Sequence, residues 1–241
     1  MIGRGALVLA GVLALSGPAA AHEVLDTVAM EDFLGRLDRH RAALADGDQA
    51  RVAEALFERG EVLSESAALL NQDYMVHAGE HGTVAEVYLR ELAARGLAPA
   101  MSPALGRYAI PTQPYERYLA VTERRGEHAA EALHEVIAAR FHDSFVIDPF
   151  APLSADWGAV RQSIADAEAF VAQFPAHPDL AEVRFILAVT YGRAASLAPD
   201  AGDRRRYRSA AAKGLADFAE TYPQSMRAAA AEALLARLDA D

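Results

Sequence analysis

The 241-residue sequence predicts an all-α fold of stacked helical hairpins. Three observations carry that expectation. Apolar residues recur at helical spacing along most of the chain, and no apolar–polar alternation extends beyond a few residues. An aromatic–proline corner also appears twice, 48 residues apart. Composition agrees, because alanine is abundant and aromatics make up only 7% of the residues, as suits closely packed helices.

The N-terminal stretch MIGRGALVLAGVLALSGPAAA reads as a secretory signal peptide. Arg4 supplies the positive end, Ala6–Leu15 the apolar run, Gly17-Pro18 the break, and Ala19-Ala20-Ala21 the small residues before a cleavage site. The apolar run falls short of the roughly 20 residues that span a bilayer. No cysteine follows it for lipid attachment. The mature chain is therefore expected to begin near His22 and to be periplasmic or secreted. Without any cysteine it has no disulfides and no thiol chemistry, so its core must hold it together. After loss of Arg4, 22 basic residues face 34 acidic ones, a net charge of −12. That balance argues against a nucleic-acid partner and against docking on anionic lipid. No later apolar run is long enough for a membrane span.

Each element follows in order. Glu31–Ala45 places Phe33, Leu34, Leu37 and Leu44 on helical spacing, and Asp46-Gly47-Asp48 provides a stop and a new N-cap. Gln49–Leu70 continues with Val52, Leu56, Val62, Leu63 and Leu69. Thr83–Arg95 predicts a helix capped by Thr83, with Glu86 completing a capping box and Gly96 closing the far end. Residues 97–114 contain Pro99, Pro103, Pro111 and Pro114 and read as a connection between a helical region at 22–96 and repeats at 115–241. A second break falls at 147–158, beside the one β-like patch, Phe145-Val146-Ile147.

The repeat pairs FVAQFP (170–175) with FAETYP (218–223). Each copy ends a helix on an aromatic and a proline, which lacks an N–H and clashes one turn back. A fresh helix start carrying Ala-Glu is expected after each corner, at Ala181-Glu182 and at Ala231-Glu232. A weaker copy lies at 115–133, with Tyr115, Tyr118 and Ala130-Glu131. These motifs, with the small residues Ala181, Ala188, Ala228 and Ala231, resemble divergent tetratricopeptide-like repeats of bacterial cell-envelope proteins. The likeness covers roughly 115–241, with a period near 50 residues instead of 34, the extra length falling in loops. The resemblance implies an α-solenoid with a capping C-terminal helix and a protein-binding or assembly role. It brings no catalytic residues with it.

The sharpest alternative is His77-Ala78-Gly79-Glu80-His81, formally H-x-x-E-H, in which two histidines would bind zinc and the glutamate activate water. Gly79 and Gly82 make this segment read as an interhelical loop, with two solvated histidines. Glu131-x-x-His134 is a single Glu-x-x-His, where di-iron bundles need two. His22, if it becomes the first residue, offers an amine and a ring nitrogen to copper. His177 lies between Pro175 and Pro178 at a turn position that the second copy fills near Ser225, so it reads as a corner residue. The run Arg204-Arg205-Arg206, with Arg208, reads as a solvated helix start beside many carboxylates. The expectation is thus a non-catalytic protein without cofactor that binds a protein or peptide partner in the envelope. The alternative is a helical metal-binding protein or metallohydrolase using His77, Glu80 and His81, or His22.

Overall fold

The computed structural model describes residues 24–240 apart from 46, 78, 103–104, 110, 144–148 and 151–155. The expected signal sequence, His22 and the patch at 145–147 lie outside those residues. The described chain is helical with almost no strand, and no helix in it is long and apolar enough to cross a membrane. In order come α1 (Thr27–Ala43), α2 (Gln49–Val76), α3 (Thr83–Ala94), β1 (Met101–Ser102), β2 (Arg107–Tyr108) and α4 (Gln113–Val121). Then follow α5 (Ala129–His142), α6 (Trp157–Gln173), α7 (Leu180–Leu197), α8 (Ala201–Thr221) and α9 (Ala228–Ala240).

Aspartates start several of these helices. The carboxylates of Asp26, Asp48, Asp156 and Asp200 each accept a first-turn N–H, at 2.7 Å from Ala29 and 3.0 Å from Ala50 for the first two. Thr83 does not cap α3. Gly82 is the N-cap, Thr83 is the first helical residue, and no side chain bonds the cap. Its Cα geometry is extended (ψ 157°), and the Gly82 N–H is spent on the Asp73 carboxylate instead. Gly96 does close that helix: its φ of +69° lets the Leu97 N–H reach the Leu92 carbonyl at 2.9 Å. The proline-rich connection holds a two-stranded antiparallel hairpin, with Met101 opposite Tyr108 and Ser102 opposite Arg107. Strands of two residues leave no alternation to read.

Buried side chains form two main clusters, and α2 supplies both. Its first turns give Ala53, Leu56 and Phe57 to the core built by α4–α9, around Tyr115, Leu133, Phe170 and Phe218. Its later turns give Val62, Leu63 and Leu70 to a core with Phe33, Leu37, Tyr88 and Leu92 from α1 and α3. Between the two, α4 comes so close that a Cβ on Gly60 would lie 2.5 Å from the Tyr115 ring. The Tyr115 hydroxyl donates to Glu61 at 2.6 Å across the same contact.

The aromatic–proline corners match in backbone detail. Phe174 and Tyr222 both end their helices at φ −124°, ψ 55°, and each donates its N–H back to the aromatic four residues earlier. His177 N–H then bonds the Phe174 carbonyl as Ser225 N–H bonds that of Tyr222, and Val183 is buried where Ala231 is. The offset stays at 48 residues, which corrects the register of the Ala-Glu pairs. Ala181-Glu182 corresponds to Ala229-Ala230, not to Ala231-Glu232, because α9 starts at Ala228 as α7 starts at Leu180. The upstream copy shares only the second half of the corner. Its α4 ends with Glu123 and Arg124 at positive φ instead of a proline.

A buried carboxylate ties the upstream helices together. Asp166 on α6 accepts from Arg124 at 2.7 Å, from Arg140 on α5 at 2.7 Å and from Gln162 at 3.1 Å. Arg140 also reaches Glu116 on α4 at 2.8 Å. Two guanidiniums fully pair the buried charge, the condition under which such a group is tolerated.

Gly60→Ala tests the α2–α4 approach. Alanine would gain about 1 kcal/mol of helix propensity. Its methyl must displace a buried tyrosine ring, costing about 1–3 kcal/mol. Urea denaturation is expected to show a net loss of stability, and a gain would mean the contact is looser than described.

Candidate functional site

The H-x-x-E-H residues sit in the connection between α2 and α3. His77 caps α2, Gly82 caps α3, and Ala78 lies outside the described residues. The rings are organised by a residue the motif omits, Asp73, one helical turn before His77 and almost fully buried. His81 Nδ1 lies 2.8 Å from Asp73 Oδ2 and its Nε2 lies 2.9 Å from the Tyr108 hydroxyl. With its proton on Nδ1 the ring donates to the carboxylate and accepts from the phenol. His77 Nδ1 lies 2.9 Å from the Asp73 carbonyl and 3.2 Å from its carboxylate. Burial, with Tyr74 nearby, pushes the Tyr108 phenol up. Asn71 completes the arrangement by exchanging two hydrogen bonds with the Tyr108 backbone, at 2.6 and 3.0 Å. The whole is a clasp fastening β2 to α2. Glu80 is exposed, and no hydrogen bond or ion pair among the described residues joins its side chain to either ring.

Histidines and carboxylates gather elsewhere, at the corner where α5 meets the start of α7. One ligand atom each from His134, Asp179 and Glu182 lies within 4.8 Å of the others. His134 Nε2 is 3.6 Å from Glu182, and Nδ1 is 3.6 Å from Glu135 and 3.9 Å from Asp179. His142 Nε2 is 3.7 Å from Glu182, and Arg227, just before α9, donates to the same carboxylate. Burial opposes a charge on His134, but the surrounding carboxylates outweigh it and push the ring up to about 9. The His134 and His142 rings beside it, with the Arg227 guanidinium, hold Glu182 well below the usual carboxylate range. Glu131 does not join His134. Its oxygen lies 3.9 Å from His177 Nε2, while His177 Nδ1 accepts the Asp179 N–H at 3.3 Å. His177 is thus a corner residue that also touches this cluster, through Asp179 at 3.6 Å.

A trough runs between α6 and α8 with α7 as its floor. Cavities of about 530 and 470 Å³ meet at Tyr191. Leu187, Val171 and Phe218 line the first, and Ile164, Tyr207 and Ala210 the second. Three arginines of its lining lie against aromatic rings: Arg206 is 4.7 Å from the Tyr207 ring, which also lines it, and Arg161 and Arg184 are 5.8 Å from Trp157 and 6.0 Å from Tyr222. Small residues let the helices beneath approach closely, since a Cβ on Gly214 would lie 2.9 Å from that of Ala188. The basic run at 204–208 is largely spent on the fold. Arg204 bonds the Ala198 carbonyl at 2.8 Å, Arg206 pairs with Asp203 at 3.0 Å, and Arg208 bonds the Leu238 carbonyl. No protein-family model matches the chain, and comparison with curated proteins and with solved structures gives no match either.

Two measurements follow from this geometry. Asp73→Ala strips the acceptor from His81 and Gly82 in a buried site and is expected to cost about 2–3 kcal/mol. Glu80→Ala should stay within about 0.5 kcal/mol, as an exposed residue does; a large loss there in urea denaturation would contradict the clasp. For His134 the folded pKa lies above the unfolded 6.5, so its contribution to stability is full below pH 6.5 and is lost as pH rises through about 9. The difference in stability between wild type and His134→Gln in metal-free buffer is expected to shrink over that window. A constant difference would mean that folding leaves the ring's pKa unchanged.

Proposed function

We propose that the protein is an exported, non-catalytic scaffold of tetratricopeptide-like character that binds a protein or peptide segment in the cell envelope. The observation that carries this reading is the trough between α6 and α8. Following the helical rise from Arg206 to Thr221, it is about 22 Å long, room for about seven residues of extended chain. Its floor is apolar at Leu187 and Tyr191, and its rims carry arginines held against aromatic rings. Such rings offer large contact area with few torsions to freeze, the residue types that dominate binding energy at interfaces. Glu168, Asp217 and Glu220 add acceptors for a segment's backbone N–H groups. The signal-like N-terminus and the acidic charge balance support an envelope setting and a protein partner. The use of His77 and His81 in the clasp supports a role without catalysis.

A photoreactive residue placed at Leu187 tests the reading in envelope extract, with one at the fully exposed Met226 as control. Cross-linking to a defined partner is expected from position 187 and not from 226. Ala210→Trp, which fills the trough, should abolish it while leaving the helical circular dichroism intact. Equal labelling from both positions, or labelling that survives the filled trough, would overturn the assignment.

A further inference from the structure

We propose that the corner between α5 and the start of α7 binds one divalent transition-metal ion of the zinc class through His134, Asp179 and Glu182. The three supply one imidazole nitrogen and two carboxylate oxygens, a ligand set that suits zinc and leaves a fourth position for water or His142. The imidazole weighs against calcium and magnesium, which take oxygen ligands. Ligands around a tetrahedral ion at about 2.0–2.1 Å stand about 3.3 Å apart. The present separations of 3.6 Å between His134 and Glu182, and of at most 4.8 Å within the group, close to that by side-chain rotation of about 1.5 Å or less.

A second observation is independent of the ligand count. His134 Nε2 is buried from solvent and has no hydrogen-bond partner, with the nearest Glu182 oxygen beyond bonding distance. A buried ring nitrogen without a hydrogen bond is under-satisfied, its ion pair with Glu182 at 3.6 Å being long. The local charge also calls for a cation. Glu131, Glu135, Asp179 and Glu182 crowd the corner, answered by Arg227 and by whatever charge the His134, His142 and His177 rings carry. Asp179 is the N-cap of α7 and Glu182 lies in its first turn, so both carboxylates stand at one helix end. Arg227 occupies one oxygen of Glu182 and is the competitor that an ion displaces. None of the ligands lines the trough, so the proposal stands or falls apart from peptide binding.

The test uses the mature chain carrying no histidine tag, stripped with chelator and dialysed against zinc at neutral pH. One zinc per chain with micromolar or tighter affinity is expected, and cobalt in its place should show the visible bands of four- or five-coordination. His134→Ala and Glu182→Gln should each weaken binding at least tenfold with unchanged circular dichroism. Arg227→Ala, by freeing Glu182, should tighten it several-fold. Glu80→Gln, outside the corner, should leave it unchanged. Absence of stoichiometric zinc on the folded wild-type chain, or binding that persists in both His134→Ala and Glu182→Gln, overturns the proposal.

Discussion

The contact between α2 and α4 constrains everything built on it. Gly60 gives the Tyr115 ring a place against the helix backbone, and the Glu61 carboxylate takes the hydroxyl that such burial would otherwise strand. A side chain at position 60 would push α4 outward. With it would go Tyr118, whose hydroxyl accepts the His128 N–H at the start of α5, and so the placement of α5 itself. Phe57, stacked on the His128 ring at 4.1 Å, locks the same corner from the α2 side. The later helices are stacked outward from this seam, and the Asp166 carboxylate with its two arginines carries the tie from α4 and α5 to α6.

Helices and their ends were the legible part of the sequence. Asp48 as a cap and Gly96 as a stop act through local backbone geometry, which residue type largely dictates. The all-α expectation rests on the same local rules and holds. The spacing points to Thr83 as a cap, but Gly82 takes that place through an extended backbone and a distant acceptor, Asp73, neither visible in the spacing. The pairing of β1 with β2 is not legible in sequence because Asn71, 37 positions from Tyr108, fixes it. Ala231-Glu232 looked like a second Ala-Glu start only because identical letters recur two positions out of register.

Site chemistry was less legible, for a related reason. The pattern at 77–81 offered histidines in sequence, but Asp73 decides what they do, and a single aspartate inside a helix carries no special signal. His134, Asp179 and Glu182 are separated by up to 48 residues and meet only because α7 packs beside α5. The trough is assembled from three helices and is marked in sequence by no motif. Short motifs describe neighbours along the chain, whereas these sites are made by neighbours across it.

The corners also give the stack a direction. Glu131, the third residue of α5, lies against His177 at the next corner, and Glu182, the third residue of α7, bonds Arg227 at the one after. In both contacts a glutamate in the first turn of one helix meets a nitrogen base at the following corner, so the two corners are not interchangeable. The equivalent place in α9 is Ala230, which has no acid to offer. The order of the helices is thus written in side-chain pairing as well as in covalent sequence, and a shuffled copy would lose these partners.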